Sequence, residues 1–133
     1  MKKHIFSGIL AGILAGVSGV IYSVLYQKTL FVDFNQVINP YSIVGVSILS
    51  CVLMAFIYGL LDRFNKNRLR GLVNVFIVLI SFVSVLGPIS ISLPLELDFP
   101  ELFPGLAIPM HFFPALIFFG LQPFFSKPHS NEQ

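Results

Sequence analysis

Polar and apolar positions fall into long blocks along this chain, not into a fine alternation. Runs at 5–27, 41–61, 72–88 and 105–125 are apolar and contain no Asp, Glu, Lys or Arg, and short polar connections separate them. A helix rises ~1.5 Å per residue, so runs of about 20 residues cross a hydrocarbon core of ~30 Å and predict four transmembrane helices. Met1-Lys2-Lys3-His4 before the first run has the outline of a signal peptide. The apolar run far exceeds the about 7 to 15 residues of a signal-peptide core, so we read it as an uncleaved span. The expected fold class is an all-α membrane protein, a four-transmembrane-helix bundle forming one membrane domain over 1–133.

Small residues mark the faces along which these helices would pack. Gly8, Gly12 and Gly16 recur every four residues in the first span, flanked by Ala11, Ala15 and Gly19. In lipid no hydrophobic force draws helices together, and bare backbone lets two helices come close enough for dispersion to hold them. Ser47, Cys51, Ala55 and Gly59 are also four apart in the second span, and their face is the natural partner for the glycine ridge. Ser42, Ser47 and Ser50 can return their hydroxyl protons to carbonyls one turn back, which needs no polar pathway.

The connections are less regular. Lys28 to Pro40 is too apolar for a free loop, with Leu30, Phe31, Val32 and Phe34 around Asp33. It should lie along the bilayer surface or over the bundle mouth, with Tyr22, Tyr26 and Tyr41 as aromatic anchors. The third span should close at Gly87-Pro88, glycine taking a left-handed cap and proline ending the ladder. Ser90 to Asp98 alternates, with Ile91, Leu93, Leu95 and Leu97 on one side and Ser90, Ser92, Glu96 and Asp98 on the other. Period two predicts an extended ribbon, which Pro94 confines to a sheet edge. Paired with the first outside loop, it would form a small extended cap. In the last span Pro109 is harmless if the regular helix begins close to it, whereas Pro114 should kink the helix.

Charge sets the expected orientation. Half of the eight Lys and Arg residues lie in Asp62 to Arg70, and with Lys2, Lys3 and Lys127 they put seven cations on one side against Lys28 on the other. Positive short loops stay inside, so both termini are expected in the cytoplasm. Charged residues are 11% of the chain against roughly 25% in an ordinary soluble domain, and hydrophobic residues reach 56%. The net charge of +2 is dispersed without a basic stripe, which argues against nucleic acid as a partner. A lone cysteine, Cys51, forbids an internal disulfide and a multi-cysteine metal site. Glu96, Asp98 and Glu101 are read as solvated charge in preference to a cation site.

No catalytic motif is legible, and no catalytic residue, metal or cofactor is expected. The spans lack the buried carboxylate of an ion-coupled transporter. His4 and His129 belong to the cytoplasmic side and His111 to the outer side, so two histidines cannot ligate one haem or metal. No triad can be assembled from Ser84, His111 and Asp98 without assuming their contacts. His111 remains the only ionisable side chain in the apolar runs apart from Cys51 and the tyrosines, and an ionisable group in a membrane is a candidate site. It is either a structural residue bonded to Ser84, a loop or a headgroup, or part of a ligand site with Ser84, Pro88 and Pro114.

Ser84-Val85-Leu86-Gly87-Pro88 closing one span and Met110-His111 opening the next resemble landmarks of a family of small, uncharacterised bacterial four-helix membrane proteins, a domain of unknown function. The resemblance covers four spans over nearly the whole chain and implies no activity; the Pro109 and Pro114 pair and the phenylalanine pairs depart from it. The expected function is a noncatalytic multi-pass protein of the bacterial inner membrane, a small subunit or scaffold whose partner is another membrane protein or itself. The alternative is a binding or carrier protein for an apolar ligand, a lipid or quinone, near His111. A glycine ridge left facing outward would favour the first, and an apolar cavity beside His111 the second.

Overall fold

The computed structural model describes residues 2–91, 93 and 99–125. The described residues form five α-helices: α1 (Lys2–Leu30), α2 (Pro40–Arg63), α3 (Arg70–Ser84), α4 (Leu86–Ser90) and α5 (Phe103–Phe125). With α3 and α4 taken together, four helical stretches are long and apolar enough to cross a membrane, as in a multi-pass membrane protein.

Local chemistry sets the helix ends. Leu30 is followed by Phe31 at φ 55°, and the Val32 N–H then reaches back five residues to the Gln27 carbonyl at 3.1 Å. This is the left-handed cap that glycine usually makes, here on a phenylalanine. Gln27 holds the connection in place, accepting from the Phe34 N–H at 2.7 Å and donating to Ser23 Oγ at 2.9 Å. Asn39 caps α2 by accepting from the Ser42 N–H at 2.7 Å, and Pro40 occupies the first turn, where no N–H is needed. At the other end Asn65 takes the left-handed position, and Lys66 N–H donates to the Leu61 carbonyl at 2.9 Å.

α1 and α2 run antiparallel in close contact along their glycine side. A Cβ built on Gly8 would lie 2.6 Å from Ala55 Cβ, one on Gly12 2.5 Å from Ile48 Cα, and one on Gly16 2.8 Å from Val44 Cα. The ridge therefore faces inward. It meets the small-residue face of α2 only at Gly8; Gly12 and Gly16 rest on the backbone of Ile48 and Val44. Ser47, Cys51, Ala55 and Gly59 are all buried. Cys51 turns towards α5, where its Sγ lies 3.5 Å from the Pro114 carbonyl.

α5 crosses the other side of α1. Tyr22 and Phe113 stack edge to face at 5.7 Å, and Phe6 meets Phe125 at 6.5 Å. Pro109 lies well inside this helix, which begins at Phe103, two residues before the expected start. The correction has a chemical reason. Proline cannot donate to the Gly105 carbonyl, and the Tyr22 hydroxyl donates to that oxygen instead, at 2.8 Å. Tyr26 similarly donates to the Leu102 carbonyl at 2.8 Å. Of the three tyrosines expected as anchors, Tyr22 bonds to α5, Tyr26 to the turn just before it, and Tyr41 is exposed.

The third span differs from its expected form. It does not close at Gly87-Pro88 but breaks at Val85 and resumes as α4, which buries Pro88. Pro88 falls in the first turn of the new helix, where its missing N–H is no loss, and Gly87 has no positive φ. Ser90 is consequently helical rather than extended. Ser92 and 94–98, most of the expected ribbon, lie outside the described residues, among which there is no strand. The first connection packs through Val32 and Phe34 against Phe103, Leu106 and Ala107, the second of two buried apolar clusters.

α3 is the least embedded element. Only 11% of its span's most apolar window is buried within the chain, against 33% to 39% for the other three. It is attached at its ends. At the end where α1 begins Arg70 pairs with Asp62, which also lies 2.7 Å from His4 Nε2, and Tyr58 donates to the amide oxygen of Asn74. Towards the opposite end Phe82 meets Phe112 at 5.0 Å, and Ser84 meets His111.

Candidate functional site

Between those attachments α2 and α3 stand apart, leaving a cavity of about 630 Å³. That lies within the range of roughly 300 to 1,000 Å³ typical of small-molecule sites. Its floor is Ala15 and Gly19 of α1 with Pro114 and Ala115 of α5; its flanks are Val46, Leu53 and Ile57 of α2 and Ile77 and Ile80 of α3. None of the described residues lining it is an Asp, Glu, Lys or Arg, and its polar side chains are Ser42, Ser47, Ser50, Ser81, Ser84 and His111.

The structure brings three of the four expected ligand residues together here. Ser84, His111 and Pro114 all line the cavity, whereas Pro88 is buried one turn further on and does not. Ser84 Oγ lies 3.0 Å from His111 Nδ1 and 2.7 Å from the Ser81 carbonyl. The bond to Ser81 follows from the break at Val85. The Val85 N–H, which a continuing helix would give to Ser81, turns to the Phe82 carbonyl at 3.2 Å, and the Ser84 hydroxyl takes its place. Ser81 Oγ is likewise 3.0 Å from the Ile77 carbonyl.

A proline adds to this. Pro114 removes the helical donor of the Met110 carbonyl, and Met110 lines the cavity. Ser81 and Ser84 on this side spend their hydroxyl protons within α3, so neither is free to donate into the cavity.

Sequence reasoning missed the serine faces. Ser47 and Ser50 are three apart on α2, Ser81 and Ser84 three apart on α3, and both pairs turn to the same space. That spacing was the available signal, but a hydroxyl able to bond within its own helix, as Ser81 and Ser84 do, looks the same in sequence as one that does not. The Asp62 contacts with His4 and Arg70 were missed as well, since they join residues far apart in the chain.

No family model matches the chain, and neither curated proteins nor solved structures provide a significant match.

Proposed function

We propose that this chain is a noncatalytic multi-pass membrane protein that binds a neutral, apolar ligand, a lipid or quinone, in the cavity between α2, α3 and α5. The observation that carries the reading is a largely apolar cavity, without Asp, Glu, Lys or Arg among its described lining residues, that holds the Ser84–His111 contact. Apolar walls accept a chain or ring skeleton, and a few placed polar groups fix its head. An ionised head would be left without a counter-charge among the lining residues, at a large desolvation cost.

If α2 and α3 both span the bilayer, as their length and hydropathy allow, a ligand can enter between them from the membrane without crossing water. In the orientation set by the cation distribution, both termini are cytoplasmic and His111 is towards the outer side of a bacterial inner membrane. A second reading, a small subunit or scaffold, draws on the bare faces of α3, which would accept another membrane protein or a second copy. The inward-facing glycine ridge weakens it, because that surface is already used.

The test is purification of the full chain in mild detergent, with mass spectrometry of what accompanies it. A neutral lipid held by the wild type and lost in His111→Leu, with the melting temperature kept, supports the binding reading. A polypeptide partner in fixed ratio, with no lipid, supports the scaffold reading.

A further inference from the structure

We infer that the ligand presents a hydrogen-bond donor to His111, and so is an alcohol-type lipid or quinol and not a ketone, ester or ether of the same skeleton. The inference rests on the binding reading above and deepens it by assigning the protons. A hydroxyl has one proton, a carbonyl none, and a neutral imidazole carries one proton on either nitrogen. Ser84 Oγ touches both the Ser81 carbonyl at 2.7 Å and His111 Nδ1 at 3.0 Å. The carbonyl can only accept, so the single Ser84 proton goes to Ser81. The contact with the ring then needs a proton from the ring, which fixes it on Nδ1. Nε2 of His111 is left as a bare lone pair, an acceptor.

The neighbouring groups have the same polarity. The Met110 carbonyl has lost its helical donor to Pro114, and Ser81 Oγ gives its proton to the Ile77 carbonyl. A ligand whose head can only accept would find no free proton on Ser81, Ser84 or His111 Nε2. It would also strip water from Nε2 without replacing the bond, and an unmade buried hydrogen bond is the costlier error. A head with an O–H satisfies Nε2 directly. The absence of charge among the lining residues keeps that head neutral, which separates an alcohol from a fatty acid or a phosphate ester.

The experiment uses the full chain in phosphatidylcholine nanodiscs and a long-chain alcohol bearing a photoreactive diazirine, with adducts located by mass spectrometry. Unlabelled hexadecanol and hexadecyl methyl ether then compete at matched concentrations in the bilayer. We expect adducts on cavity residues and about tenfold better competition by the alcohol, the scale of one buried hydrogen bond. In His111→Leu the two competitors should fall within about twofold of each other. In His111→Gln, whose amide oxygen can accept, the preference should persist in part. Equal competition by alcohol and ether in the wild type, or an advantage for the ether, overturns the donor assignment while leaving the cavity as a binding site. Absence of adducts in the cavity overturns both.

Discussion

Gly12→Ala tests the packing of the bundle with one methyl group. The new Cβ would lie 2.5 Å from Ile48 Cα, where ordinary contact begins at 3.4 Å, and the obstacle is backbone, which cannot swing aside. α1 and α2 must therefore part locally by roughly 1 Å, a gap that forfeits about a quarter to a half of each contact's dispersion energy. Each atom pair contributes only about 0.1 to 0.2 kcal/mol, but tens of pairs meet around Gly8, Gly12 and Gly16, so the loss comes to about 1 to 3 kcal/mol, the usual range for an overpacked site. Gly45 in the facing helix is the internal control, because a Cβ there meets nothing within 4 Å. Equilibrium unfolding in one detergent should show Gly12→Ala destabilised and Gly45→Ala unchanged or slightly more stable, as helix propensity favours alanine. Equal stability of the two variants would refute the close approach of α1 and α2 at Ile48.

Two further predictions concern orientation and the proline-rich helix. In a background lacking Cys51, Asn67→Cys and Ser130→Cys should resist an impermeant thiol reagent in intact cells while Glu96→Cys reacts; the reverse pattern would invert the topology. Tyr22→Phe should cost about 1 kcal/mol by removing the donor to the Gly105 carbonyl, and should cost much less in a Pro109→Ala background, where the helix supplies its own N–H. A double-mutant cycle in thermal unfolding measures the coupling, and additive effects would show that the two groups do not share that carbonyl.

Much of the fold was legible in the sequence because membrane spans are written in length and hydropathy, which need no knowledge of contacts. The four apolar runs and the glycine spacing of α1 belong to this class. The misreadings arose where a distant residue changes what a local motif means. Pro109 reads as a helix start until Tyr22 is known to serve the carbonyl it orphans. Gly87-Pro88 reads as a terminator, yet the break falls at Val85 and lets Pro88 begin α4. The site was half legible. His111 stood out by its chemistry and Ser84 by its place at the same end of the bundle, but the cavity depends on α2 and α3 standing apart, a feature of spacing that no residue pattern records.

The most direct test of the binding reading fills the cavity without touching Ser84 or His111. Ser50 lines it from α2, and Ser50→Phe would set a ring into the cavity that Ile80 and Ser81 of α3 also line. Native mass spectrometry of the wild type and this variant, released from nanodiscs side by side, compares the lipid each retains. A neutral lipid on the wild type that is absent from Ser50→Phe, with helix content and melting temperature unchanged, is the predicted result. The same lipid in the same amount on both proteins, or none on the wild type, would contradict a ligand site between α2, α3 and α5.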